Sequence, residues 1–84
     1  MREQKAVALK YTEDLPAPFI AARGKGSLAS KLVRIAEDAG LPIQRDNDLS
    51  EILFQLEVGS FIPEELYEII ARLYTFVLEI QDEI

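Results

Sequence analysis

Two short apolar runs, Ala6-Val7-Ala8-Leu9 and Phe19-Ile20-Ala21-Ala22, lie close together near the start of the chain. A polar connection carrying Pro16 and Pro18 separates them, and Gly24 and Gly26 follow the second. Apolar runs this short, bounded by proline and glycine, read as strands of a sheet covered on both faces. Glycine accepts positive φ and close backbone approach, so Gly24 and Gly26 suit the hand-over from strand to helix. The stretch from Lys5 to Gly26 therefore predicts two core strands, Lys5 to Tyr11 and Phe19 to Arg23, and the start of a first helix. Thr12 to Pro16 makes the turn, and Pro18 is tolerated at a strand start or along an edge.

Everything downstream reads as cover for that sheet. Leu28, Leu32, Ile35, Ala36 and Ala39 recur at helical spacing, with Ser27 placed to cap the helix. Gly40 suits a left-handed stop, with Pro42 just beyond. Leu41 to Gln44 fits a third strand, parallel to the second across a right-handed crossover. Asp48-Leu49-Ser50-Glu51 has the form of a capping box before a short helix with Leu49, Ile52, Leu53 and Leu56 apolar. Val58 to Phe61 is a turn with a brief extended piece. Pro63 opens the last helix, which runs to about Gln81 with Glu64 and Glu65 at its positive end. Leu66, Ile70, Leu73, Val77 and Ile80 form its stripe. Tyr67, Ile69, Tyr74, Phe76 and Leu78 add apolar surface beyond what one sheet face needs. They fit a helix wedged between sheet and helix, or one that meets a partner.

The expected fold class is α/β: a small mixed sheet of three strands, with room for a fourth, packed by about three helices. The 84 residues make a single domain, with residues 1–4 loose. A chain this small buries only about 60% of its unfolded surface, enough for one core. The net charge of −6 excludes a phosphate-tracking surface and disfavours anionic membranes, so no nucleic acid and no membrane insertion is expected. No apolar run approaches the roughly 20 residues of a membrane span. Without a single cysteine or histidine, there is no disulfide, thiolate metal site or imidazole base.

Arg23-Gly24-Lys25-Gly26-Ser27 stands where a phosphate cradle would, between strand and helix, but lacks the spacing of a Walker loop. A tight turn plus helix start is the better reading. The acid pairs Glu13-Asp14, Glu37-Asp38, Glu64-Glu65 and Asp82-Glu83 are sequence neighbours that diverge on a helix and read as solvated surface. No set of residues converges for catalysis, metal or cofactor. The chain reads as a non-enzyme.

The order of short motifs carries a resemblance. Ala6-Val7-Ala8-Leu9-Lys10-Tyr11, an acidic loop, then Ala17-Pro18 followed by Ala22-Arg23-Gly24 resembles the C-terminal cytoplasmic domain of the FlhB/YscU family. Those are export-switch proteins of flagellar and virulence-type type III secretion. Ala36 and Leu41-Pro42-Ile43 match its "IA…(I/V)P(I/V)" segment, Leu49 to Phe54 its "PLARALY" helix, and Ile62 to Tyr67 its "IPxxLY" helix start. The likeness covers roughly Ala6 to Ile80. It departs at the self-cleaving Asn-Pro-Thr-His motif: Arg2-Glu3-Gln4-Lys5 stands there, without the asparagine nucleophile.

The resemblance implies a bacterial cytoplasmic protein, peripheral at the export apparatus, that takes part in flagellar or type III export without cleaving itself. It implies a shallow hydrophobic depression for export substrates at Ala17 and Pro18 of the inter-strand loop and Ala71 and Tyr74 of the last helix, rimmed by Phe19 and Tyr67. Tyr74 stands where the family usually has an aliphatic residue. The bland reading of Ala17 and Pro18 is that they only shape the turn. The implied partners are N-terminal segments of export substrates and export-gate proteins, including a truncated FlhB-type membrane protein. The family's sheet also holds a strand from before the cleavage motif. An edge left open in its place would suit a partner strand or a homodimer. The alternative is a structural interaction module that completes its sheet or last-helix interface with a partner and has no direct export role.

Overall fold

The computed structural model describes residues 3–12 and 14–73. Strand β1 (Lys5–Lys10) and strand β2 (Phe19–Lys25) form an antiparallel pair. Helix α1 (Ser27–Asp38) and helix α2 (Asn47–Phe54) follow. A 3-10 turn over Glu64–Leu66 leads into helix α3, described over residues 67–73. The α/β class and the two leading strands stand as expected from the sequence.

Ala8 pairs with Ala22 but Leu9 pairs with Ile20, so Ala21 is an extra residue and the bulge lies on β2. Neighbouring residues of a strand point to opposite faces. Arg23 reaches the end of α2, while Gly24 lies against Leu28 of α1. The two helices therefore cover opposite faces of the sheet. On the α2 side, Ala17, Ile20, Leu49, Leu53, Ile62, Leu66 and Ile70 form the buried core, with Val7, Leu9, Leu56 and Leu73 packed on it.

The brief extended piece after α2 is a clasp on β2. Ile20 N–H donates to the Ser60 carbonyl (2.9 Å), Gly59 N–H to the Ile20 carbonyl (2.7 Å) and Ile62 N–H to the Pro18 carbonyl (2.9 Å). Phe19 and Phe61 bridge antiparallel, their rings edge to face at 6.4 Å.

Five expectations change. Leu41 to Gln44 is not a strand, and the crossover to a parallel neighbour does not form among the described residues. A cleft separates this segment from β1, and a strand needs its partner at about 4.8 Å. The start of α1 is held by Gly26 (φ 59) with no side-chain cap, so Ser27 is already inside the helix. Its inner face is Ala29, Leu32, Val33 and Ala36, whereas Leu28, Ile35 and Ala39 are exposed. The close approach at Gly24 seats small Ala29, not Leu28 or Ile35, against the sheet.

Helix α2 is capped by Asp46, not Asp48. The Asp46 carboxylate accepts from Leu49 N–H at 3.0 Å, and Asp46 has the extended backbone a cap requires. Glu51 pairs with Lys5 of β1 at 2.7 Å. Pro63 sits extended just before the 3-10 turn rather than inside it. The stop at Gly40 is as expected: Leu41 N–H donates to the Ala36 carbonyl and Gly40 (φ 71) is left-handed. Val77 and Ile80 of the last stripe lie outside the described residues.

Candidate functional site

The inter-strand connection enters the core through Ala17. That residue is only 3% exposed and shares one apolar cluster with Leu66 and Ile70. Pro18 is half-buried beside it, fixed by the Ile62 N–H on its carbonyl. Ala71, directly after buried Ile70, is exposed on α3. Tyr74 lies outside the described residues. Of these residues Ala17 is buried, Pro18 half-buried and Ala71 exposed.

Phe61 is 48% exposed and Tyr67 42%, and Phe19 is half-buried against Phe61. Phe61 was not legible as a site residue, because the clasp that brings it to Phe19 joins segments far apart in sequence. The available signal was the glycine turn ahead of it, Val58-Gly59-Ser60.

The glycine-rich hand-over is structural. Gly26 N–H is already given to the Gln4 carbonyl at 2.8 Å. Arg23 turns to the opposite face, where its guanidinium donates to the Phe54 carbonyl (2.5 Å) and the Leu56 carbonyl (2.8 Å) and covers the Phe54 ring at 5.2 Å. It thereby satisfies carbonyls at the negative end of α2. Lys5 Nζ lies 5.5 Å from the same ring while paired with Glu51. In the β1–β2 connection, the Thr12 hydroxyl bonds the Asp14 carboxylate. That bond, and then Asp14's own backbone, holds the carboxyl below the usual carboxylate range.

Among the described residues no group of acids could hold a metal ion, and no helix is long and apolar enough to cross a membrane.

This fold, a strand pair with helices on both faces, is that of secretion-protein C-terminal domains. A mutated EscU C-terminal domain superposes with a TM-score of 0.84 at 26% identity, covering 89% of this chain and 93% of that one. The PscU C-terminal domain gives 0.81 at 25% identity, covering 87% and 95%. The chain belongs to the FlhB, HrpN, YscU, SpaS family, whose sequence profile matches residues 3–77. It is 40% identical to YlqH of Bacillus subtilis, spanning all of this chain and 96% of that protein. It is 39% identical to the flagellar biosynthetic protein FlhB of Aquifex aeolicus over 87% of its own length but only 21% of that relative. Family membership supports a role in flagellar or type III export.

Proposed function

We propose that this chain is a non-enzymatic component of bacterial flagellar or type III protein export. It receives export substrates, or docks to the export gate, through the depression at Ala17, Pro18, Ala71 and Tyr74. The supporting observation is the burial of Ala17 in one core with Leu66 and Ile70 in a chain that matches the family over residues 3–77. Exposed Phe61 and Tyr67 beside a small floor offer a shallow apolar surface with few polar demands, which suits a short peptide segment.

The chain does its work without self-cleavage and at the cytoplasmic face of the export apparatus. Cyclisation of an asparagine side chain onto its own carbonyl needs that asparagine, and Arg2-Glu3-Gln4-Lys5 has none. The test is an NMR titration of the labelled chain with peptides from the N-terminal regions of secreted flagellar subunits. Shifts centred on Ala17, Phe19, Ala71 and Tyr74 are expected. Unmoved amides there, with several such peptides at millimolar concentration, would refute substrate binding at this surface.

A further inference from the structure

The net charge of −6 is unevenly placed along the chain. Residues 1–45 hold eight of the nine bases and five of the fifteen acids, whereas residues 46–84 hold ten acids and a single base, Arg72. Several of these late charges are already answered. Asp46 caps α2, Glu51 pairs with Lys5, and Arg72 pairs with Glu68 of its own helix at 2.7 Å. Glu57, Glu64 and Glu65, all exposed, stand on either side of the clasp. Among the described residues none of these three has an ion-pair partner.

All three lie within four residues of Phe61, so chain reach alone keeps them within about 14 Å of it. Phe61 is the exposed member of the edge-to-face pair with Phe19. Asp14, also exposed, belongs to the connection that carries Ala17 and Pro18. Lys10, the ladder partner of Phe19, offsets one of these charges. The aromatic pair therefore stands in a field of net negative sign.

That field narrows what the surface can accept. We infer that the segment received here is apolar at its centre and carries lysine or arginine on its flanks, and that Glu57, Glu64 and Glu65 select it. The inference rests on the receiving role proposed for the Ala17-Pro18 surface and names the class of segment received. The chain uses the same chemistry internally: Arg23 and Lys5 lie 5.2 and 5.5 Å from the centre of the Phe54 ring, and Glu51 pairs with Lys5. A cation brought to Phe61 finds the same two partners, an exposed ring and a carboxylate. The chain's own residues 74–84 are the wrong occupant, since they carry three acids and no base. Exposed charge pairs contribute modestly and act chiefly on encounter and salt dependence. Three of them together raise affinity about tenfold at low ionic strength. In 1 M salt the screening length falls to about 3 Å, from about 30 Å at 0.01 M, and the gain disappears.

The test titrates the labelled full chain with three capped peptides that share one four-residue Leu/Phe/Val core. The flanks are lysine pairs, serine pairs or glutamate pairs, and binding is read at the Phe19 and Phe61 amides. In 0.01 M salt the lysine peptide should bind about tenfold more tightly than the serine peptide, and the glutamate peptide more weakly than either. In 1 M salt the three should agree within about twofold. The combined variant Glu57→Gln, Glu64→Gln and Glu65→Gln, checked for folding by circular dichroism, should lose most of the lysine preference and still bind the serine peptide as the parent does. Equal binding of all three peptides at low salt would overturn the inference and leave the receiving surface standing. Unmoved Phe19 and Phe61 amides with every peptide would overturn both. A lysine preference that survives in the glutamine variant, or that shifts only residues 46–51, would place the selecting charges elsewhere and overturn the assignment.

Discussion

Gly24→Ala tests the central packing of this domain. A Cβ at position 24 would lie 2.8 Å from Leu28 Cβ, 3.0 Å from Leu28 C and 3.2 Å from Leu28 O. Non-bonded carbons rest at about 3.5–4.0 Å, so the nearest contact is short by about 1 Å. Two of these atoms are backbone and the third is a Cβ, so no rotamer change relieves the overlap. Helix α1 must move off the sheet, loosening fully buried Ala29. Overpacking of this kind costs about 1–3 kcal/mol. The stiffer unfolded chain of the alanine variant returns about 0.4–1 kcal/mol, leaving a net loss of about 1–2 kcal/mol. Gly24 does not have positive φ, so backbone strain adds nothing. For a domain this size each kcal/mol lowers Tm by about 4–8 °C. Urea unfolding followed by circular dichroism should show a lower midpoint with an unchanged slope. Adding Leu28→Ala should not rescue the variant, because that substitution keeps the offending Cβ. A Gly24→Ala protein as stable as the parent, or more so, would refute the close approach of β2 and α1.

Two further outcomes follow from side chains outside the core. Arg23→Ala removes the donors from the Phe54 and Leu56 carbonyls and should cost about 1 kcal/mol, since the site is exposed; Arg23→Lys should recover only part of it, lacking the planar fork, and equal urea midpoints for all three proteins would show that the contact contributes nothing. Asp14 has a depressed carboxyl pKa in the fold, so its contribution is present above the unfolded pKa and is lost as pH falls through the lower folded value; Thr12→Val should raise the pKa read by carboxyl carbon NMR, and an unmoved titration would exclude the Thr12 hydroxyl as the cause.

Features written in local spacing were legible in the sequence. The two strands follow from apolar runs between proline and glycine, and the stop of α1 follows from Gly40. The inward set Leu66 and Ile70 follows from helical period. What could not be read depended on which surfaces meet. Asp46 and Asp48 are equally good caps by composition, and the choice is made by turning Leu49 and Leu53 together into the core. The face of α1 was misjudged because size suggested Leu28 and Ile35. The sheet instead lies close to the α1 backbone at Leu28, and the small Ala29 is the α1 residue that is fully buried. Leu41-Pro42-Ile43 has the composition of a strand, but a strand is defined by its neighbour, and among the described residues none stands across the cleft. For the candidate site, the burial of Ala17 in one core with Leu66 and Ile70 was not visible in local spacing, and Phe61 could be found only from the fold.

The clasp of residues 59–62 on β2 makes the covalent link through residues 42–45 dispensable for cohesion. Everything before that segment supplies the strand pair and α1; everything after it supplies α2, the clasp and the last helix. The two portions are joined by the Ile20–Ser60 and Ile62–Pro18 bonds, the Arg23 hook, the Lys5–Glu51 pair and a shared core. A proteolytic nick at Pro42–Arg45 breaks none of these. It releases a loop constraint whose entropy grows only slowly with length. The domain is built as two complementary fragments that happen to be tethered, and a cut product would persist as a noncovalent heterodimer.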